Sequence, residues 1–186
     1  MTTSYVSAAK PKIGGAVYRA PLGTTLPTDS SSSLGTAFKE LGYVSADGIT
    51  NANSPSSSNI VAWGGDTVMT VSGEKPDTFA FTLLEVTNEE VLKAVYDDSN
   101  VTGALSTGLT VKANNNERPN CIYVIDMVLR GNTAKRIVIP SAAVSEVGEI
   151  VYKHDDATGY AITLNCEPDS NGNTHYEYIK AASTST

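Results

Sequence analysis

The chain has 186 residues, 40% hydrophobic and 18% charged, which fits a single globular domain with its own core and excludes intrinsic disorder. Twenty acidic against thirteen basic residues give a formal charge of −7, and no Lys/Arg run extends beyond Lys135-Arg136. Stable nucleic-acid binding draws on cations that displace phosphate counterions, so it is not expected here.

Residues 1–10 are small and polar apart from Tyr5 and Val6, and read as a flexible arm. Nothing in them serves as an apolar signal segment, and no apolar run in the chain is long enough to span a bilayer, so folding in cytoplasm without membrane insertion is expected. Ile13 to Tyr18 reads as a short extended segment, and Pro21 to Ser33 is rich in Pro, Gly, Thr and Ser. Phe38 to Val44 predicts a strand leading to a turn at Asp47-Gly48. Thr50 to Asn59 has no apolar side chain except Ala52 and is predicted to be loop, solvated or ordered by a partner. Gly64-Gly65-Asp66 between Ile60–Trp63 and Thr67–Val71 predicts a tight hairpin. Phe79, Phe81 and Leu83 alternate with Ala80 and Thr82, the two-residue period of a strand with one richer face.

One helix is predicted, with Thr87 as N-cap, Glu90 completing a capping box, and Val91, Leu92, Val95 and Tyr96 as its apolar stripe. Strands are then expected at 109–112, 121–130, 136–139, 147–152, 160–166 and 175–179, with Gly and Asn between or beside them. Cys121, Tyr123, Ile125, Met127 and Leu129 stand out because the residues between them are apolar as well, Asp126 excepted. Such a strand is either central in a two-layer core or turned toward another subunit. The fold class expected is mainly β, a sandwich or barrel with one flanking α-helix, and residues 1–186 read as one domain.

No catalytic constellation emerges. Cys121, His154, Cys166 and His175 are scattered rather than paired at metal-ligand spacing, and the two cysteines read as reduced core thiols. Ser clusters in loop-like runs (Ser30–Ser33, Ser56–Ser58) without a nucleophile elbow, and Asp169 to Asn173 reads as an Asn-Gly hairpin turn rather than a calcium loop. Neither an enzyme nor a cofactor is expected.

The ordered segments 15–24 (GAVYRAPLGT), 41–45 (LGYVS), 62–66 (AWGGD), 74–77 (EKPD), the helix 89–96, 136–140 (RIVIP) and 172–178 (GNTHYEY) together resemble the major tail (tail tube) proteins of siphophages. The resemblance runs over nearly the whole chain, and the appended immunoglobulin-like domain that some relatives carry is not expected. It implies a tail-tube-type β-sandwich or barrel that forms hexameric rings stacked into a hollow tube in the virion tail, made in the host bacterial cytoplasm. Implied partners are other copies of the chain, a tape-measure protein in the lumen, tail terminator and tail-tip proteins, and DNA that passes without specific binding. The inter-ring loop it implies maps to residues 46–59, with Asp47, Asn51, Asn53, Pro55 and Asn59 as contact candidates, and residues 181–186 read as a flexible tail. The competing reading is a monomeric β-sandwich binding module for surface attachment or carbohydrate, against which stand the single Trp and 7% aromatic content.

Overall fold

In the computed structural model, which describes residues 3–12 and 15–182, the alternation around Phe79 becomes a strand whose odd-numbered side chains from Asp77 to Leu83 are buried and whose even ones are half-buried. The elements in chain order are β1 (Lys10–Pro11), β2 (Val17–Pro21), β3 (Lys39–Glu40), β4 (Val44–Asn53), β5 (Ser57–Val61), β6 (Thr67–Ser72) and β7 (Asp77–Leu83). The helix α1 (Glu89–Tyr96) follows, then β8 (Val101–Ala104), β9 (Gly108–Val111), β10 (Cys121–Leu129), β11 (Thr133–Val147), β12 (Tyr160–Cys166) and β13 (Tyr176–Lys180). The fold is mainly β and antiparallel with one α-helix among the described residues.

The large sheet runs β3-β2-β10-β11-β12-β7-β4, with β1 added on β10 and β13 on β11. Its two end strands are neighbours in the chain, so the sheet curls until they meet. Leu41 N still donates to Val17 O of β2 (2.9 Å), while Tyr43 O already accepts from Leu84 N just past β7 (2.9 Å). Gly42 alone makes that corner, at φ 70°. A Cβ there would also run into the Glu85 carboxylate. Inside the curl, Val17, Phe79, Phe81, Leu83, Tyr123, Ile125, Ile139, Ile162 and Leu164 form one core, closed by Val91, Leu92 and Val95 of α1.

Both faces of the doubly apolar β10 are covered within the subunit over Cys121–Ile125. It lies between β2 and β11, with Cys121, Tyr123 and Ile125 in the main core and Ile122 and Val124 in a second cluster on the opposite face. Met127 packs half-buried against the main core and Leu129 is half-buried. Ala20, Phe38 and Val138 complete the second cluster, against which Leu26 and Leu34 of the Pro/Gly/Ser-rich segment pack. Arg136, wholly buried, holds that segment down. It pairs with Asp126 through both carboxylate oxygens (2.6 and 2.8 Å) and donates to the carbonyls of Asp29 (3.1 Å) and Ser32 (3.0 Å).

Several sequence expectations are corrected. Residues 46–59 are not a loop. Thr50, Asn51, Ala52 and Asn53 lie opposite Ala80, Phe79, Thr78 and Asp77, and Ser57 to Asn59 belong to β5. An edge strand takes its order from backbone pairing on one side, so its side chains need no core. Asp47-Gly48 is a bulge in β4 rather than a reverse turn. The arm at 1–10 is docked where described: Lys10 and Pro11 pair with Val128 and Met127, and Ser7 Oγ accepts from Arg130 N (2.6 Å). Met1 and Thr2, and residues 183–186 of the expected tail, lie outside the described residues.

The helix cap is Asn88, whose Oδ1 accepts from Glu90 N (3.0 Å), rather than Thr87; Asn is at least as good an N-cap as Thr. Residues 136–139 and 147 belong to one fifteen-residue strand, in which Pro140, lacking an N–H, sits at a bulge opposite Cys121–Tyr123. Residues 149–152 continue no strand because β12 has already reached its start at Tyr160. The Asn171-Gly172 turn does not join a hairpin either: β12 and β13 both pair with β11, at its two halves.

Candidate assembly site

The β4–β7 ladder does not stop where the body ends. Asn53 lies opposite Asp77, Ser56 N donates to Glu74 O (3.1 Å), Gly73 N donates to Ser56 O (2.9 Å), and the β5–β6 ladder then runs from Ser57–Ser72 to Val61–Thr67. Together these make an antiparallel ribbon of two ladders, β4–β7 and β5–β6, joined by the backbone bonds of Ser56. Its tip is closed by Ala62 N donating to Asp66 O (2.8 Å), with Gly65 at φ 93°.

Every residue of β5 and β6 is exposed, yet Ile60, Val61, Val68, Met69 and Val71 are aliphatic and Trp63 stands wholly in solvent at the tip. Ile60 and Met69 face each other directly across the strands, and Ser58 opposite Val71 extends that face by one pair. A two-stranded hairpin is marginal in water without a third strand or a packed face. Contiguous exposed apolar surface of this kind marks an interaction site.

The ribbon is clamped at its root. Asp77, 1% exposed, accepts from Asn51 Nδ2 through Oδ1 (2.7 Å) and from Thr174 Oγ1 through Oδ2 (2.5 Å), and Oδ2 also meets His175 Nδ1 (2.6 Å). The His175 ring stands edge-on to Phe79, 5.4 Å between centroids. Burial pushes the Asp77 carboxyl up, but the hydrogen bonds from Thr174, Asn51 and His175 outweigh it and hold the group below the ordinary carboxylate value. A carboxyl depressed in the folded state adds stability above its unfolded value, near pH 4, and loses it as pH falls through the folded value. Asp77→Asn should therefore flatten the acid limb of the stability–pH profile below about pH 4, measured by urea unfolding; an unchanged limb would contradict this role.

The five loop candidates are strung along this ribbon rather than gathered at one point. Asp47 is exposed in the bulge, Asn51 and Asn53 sit at the root, Pro55 lies in the connection, and Asn59 is on β5. The apolar hairpin residues are not among those candidates: the sequence shows the hairpin but not its exposure. The available signal was a set of apolar residues and a Trp flanking Gly64-Gly65-Asp66.

Several polar groups elsewhere are engaged structurally. Arg19, 8% exposed, holds Asp98 through both carboxylate oxygens (3.0 and 2.9 Å). Asp169 Oδ1 accepts from Asn171 N (2.8 Å) and Asn173 N (3.0 Å), and its Oδ2 accepts from Tyr176 OH (2.6 Å). Cys121 and Cys166 are free and buried, and burial pushes the Cys166 thiol up to about 12. Among the described residues there is no group of three or more His, Cys, Asp or Glu that could hold a metal ion, and no helix is long and apolar enough to cross a membrane.

Compared with protein-family models, the chain matches the family described as phage tail tube protein over residues 7–186. No curated protein matches it significantly.

Proposed function

The chain belongs to the phage tail tube protein family, and from that premise we propose that it is the repeating subunit of a long-tailed, siphophage-type tail, forming stacked hexameric rings. A structural place in the virion tail follows from the family itself. The finer reading adds a hollow lumen that DNA crosses during ejection, occupied during assembly by a tape-measure protein, with terminator and tip proteins capping the tube after synthesis in the host cytoplasm.

The observation that carries this reading is the exposed apolar hairpin at residues 57–72. A protruding arm that contacts a different surface on the next copy makes a heterologous, open-ended interface, which is what axial stacking requires. Lateral contact needs a second surface, and β4 supports it: among the described residues it pairs with β7 alone, leaving its other edge open. Closing a ring removes such edges. The net charge of −7 suits a conduit that does not grip phosphates.

Sedimentation velocity of the purified chain over a rising concentration series tests the proposal. Particles many times the 19.5 kDa chain mass should appear cooperatively; a single 19.5 kDa species throughout would overturn it.

A further inference from the structure

The hairpin needs a surface to end on, and the fold offers one toward the other end of the same ribbon. A cavity of about 720 Å³ opens between β1, the start of β4 and the middle of β10. Ala9, Pro11, Tyr43, Val44, Ile49 and Met127 give it an apolar lining, with Tyr43 exposed. Its volume lies within the roughly 300–1,000 Å³ that takes a drug-sized apolar group. Within one chain the tip cannot fill it. From Ile49 to Ala62 the ribbon is thirteen residues long, roughly 40 Å at about 3.3 Å per residue, and the exposure of all of β5 and β6 shows that it does not fold back on the body.

Charge gives the pairing a direction. Asp66, beside Trp63 at the tip, is the single ionised residue between Ser57 and Ser72. Among the cavity residues, Lys10 is exposed and pairs with no carboxylate among the described residues. The acidic groups there are mostly engaged: Glu85 accepts from Tyr43 N (3.2 Å) and Asn88 Nδ2 (2.9 Å), and Asp126 is held by Arg136 and Lys12. Glu40 also lines the cavity and carries the same sign as Asp66, so affinity comes from the apolar contact and the Lys10 contact contributes only register.

We propose that this cavity is the receptor for the hairpin tip of a second copy of the chain, with Trp63 entering beside Tyr43 and Asp66 meeting Lys10. The inference rests on the tube reading and adds the acceptor surface to it. With arm and receptor set apart along one ribbon, each subunit offers one of each, and the contact repeats without limit along an axis.

The test compares the assembly threshold of the wild-type chain with Ala9→Phe, which narrows the cavity, and Lys10→Glu, whose side chain is exposed. Both should assemble only at about tenfold or higher concentration, equivalent to about 1.4 kcal/mol, with the monomer's urea midpoint unchanged. Asp66→Lys combined with Lys10→Glu should restore much of the wild-type threshold. Emission of Trp63, the chain's single tryptophan, should move to shorter wavelength as wild-type particles form. If wild-type particles form while either single variant keeps the wild-type threshold, or Trp63 emission stays that of an exposed indole, the receptor assignment fails and the tube reading stands. If the wild-type chain never assembles, the tube reading falls and the receptor with it.

Discussion

Replacing Ile60, Trp63 and Met69 together by threonine should leave a folded monomer that no longer assembles at concentrations where the wild-type chain does. All three side chains are at least half exposed in the single subunit, Trp63 completely, and the strands that carry Ile60 and Met69 are exposed at every position. Their loss leaves no cavity in the body, whose core is built from β2, β7, β10, β11, β12 and α1. Threonine keeps strand propensity, so the hairpin loses its apolar face but not its reason to pair. In an assembled particle the same side chains leave water, and each large apolar side chain fully buried contributes about 1.5–3 kcal/mol. Part of that gain offsets the cost of ordering the arm, so a net loss of about 3 kcal/mol is expected. That is roughly a hundredfold or greater rise in the assembly threshold. Circular dichroism and urea unfolding should match wild type while sedimentation shows monomer. Assembly at the wild-type threshold would remove the arm from the account.

The second large effect concerns the body. Arg136→Met should cost about 3–5 kcal/mol of unfolding free energy, because it leaves the Asp126 carboxylate buried with only Lys12, 3.3 Å away and half-exposed, to balance it. The same change abandons the carbonyls of Asp29 and Ser32, which Arg136 holds at 3.1 and 3.0 Å. The segment packed over β10 through Leu26 and Leu34 loses its polar anchor. Adding Asp126→Leu to Arg136→Met removes the orphaned charge and should recover most of the loss, since an apolar pair of similar volume often replaces a buried ion pair without penalty. Urea unfolding of both variants decides it. A single variant within about 1 kcal/mol of wild type would show that the pair is not a principal element of the core.

What the amino-acid sequence disclosed follows from how local each signal is. The alternation at Phe79–Leu83 and at Tyr160–Cys166 predicts strands because burial on one face is written at a period of two, and both stand. The helix stripe at Val91, Leu92 and Val95 stands for the same reason at a period near 3.6. β4 was hidden because an edge strand ordered by backbone bonds to β7 carries no apolar pattern. The one-residue corner at Gly42 was hidden too, since it is set by where two ladders meet. At the candidate site, the hairpin turn at Gly64-Gly65-Asp66 was legible, but its projection from the body depends on which strands flank it in space. Apolar residues at 60–71 look the same in sequence whether a third strand covers them or solvent does. Asp126 was visible as the polar exception in an apolar strand, while its partner Arg136 was not, because the register of β10 on β11 brings them opposite each other.

Self-assembly of this subunit into a hollow tube is tested by end-on electron-microscope views of the concentrated purified chain. Averaged views should show closed rings with an open central lumen, and side views should show rings stacked at a regular axial spacing. Filled or irregular particles, or fields of isolated monomers at every concentration, would contradict it.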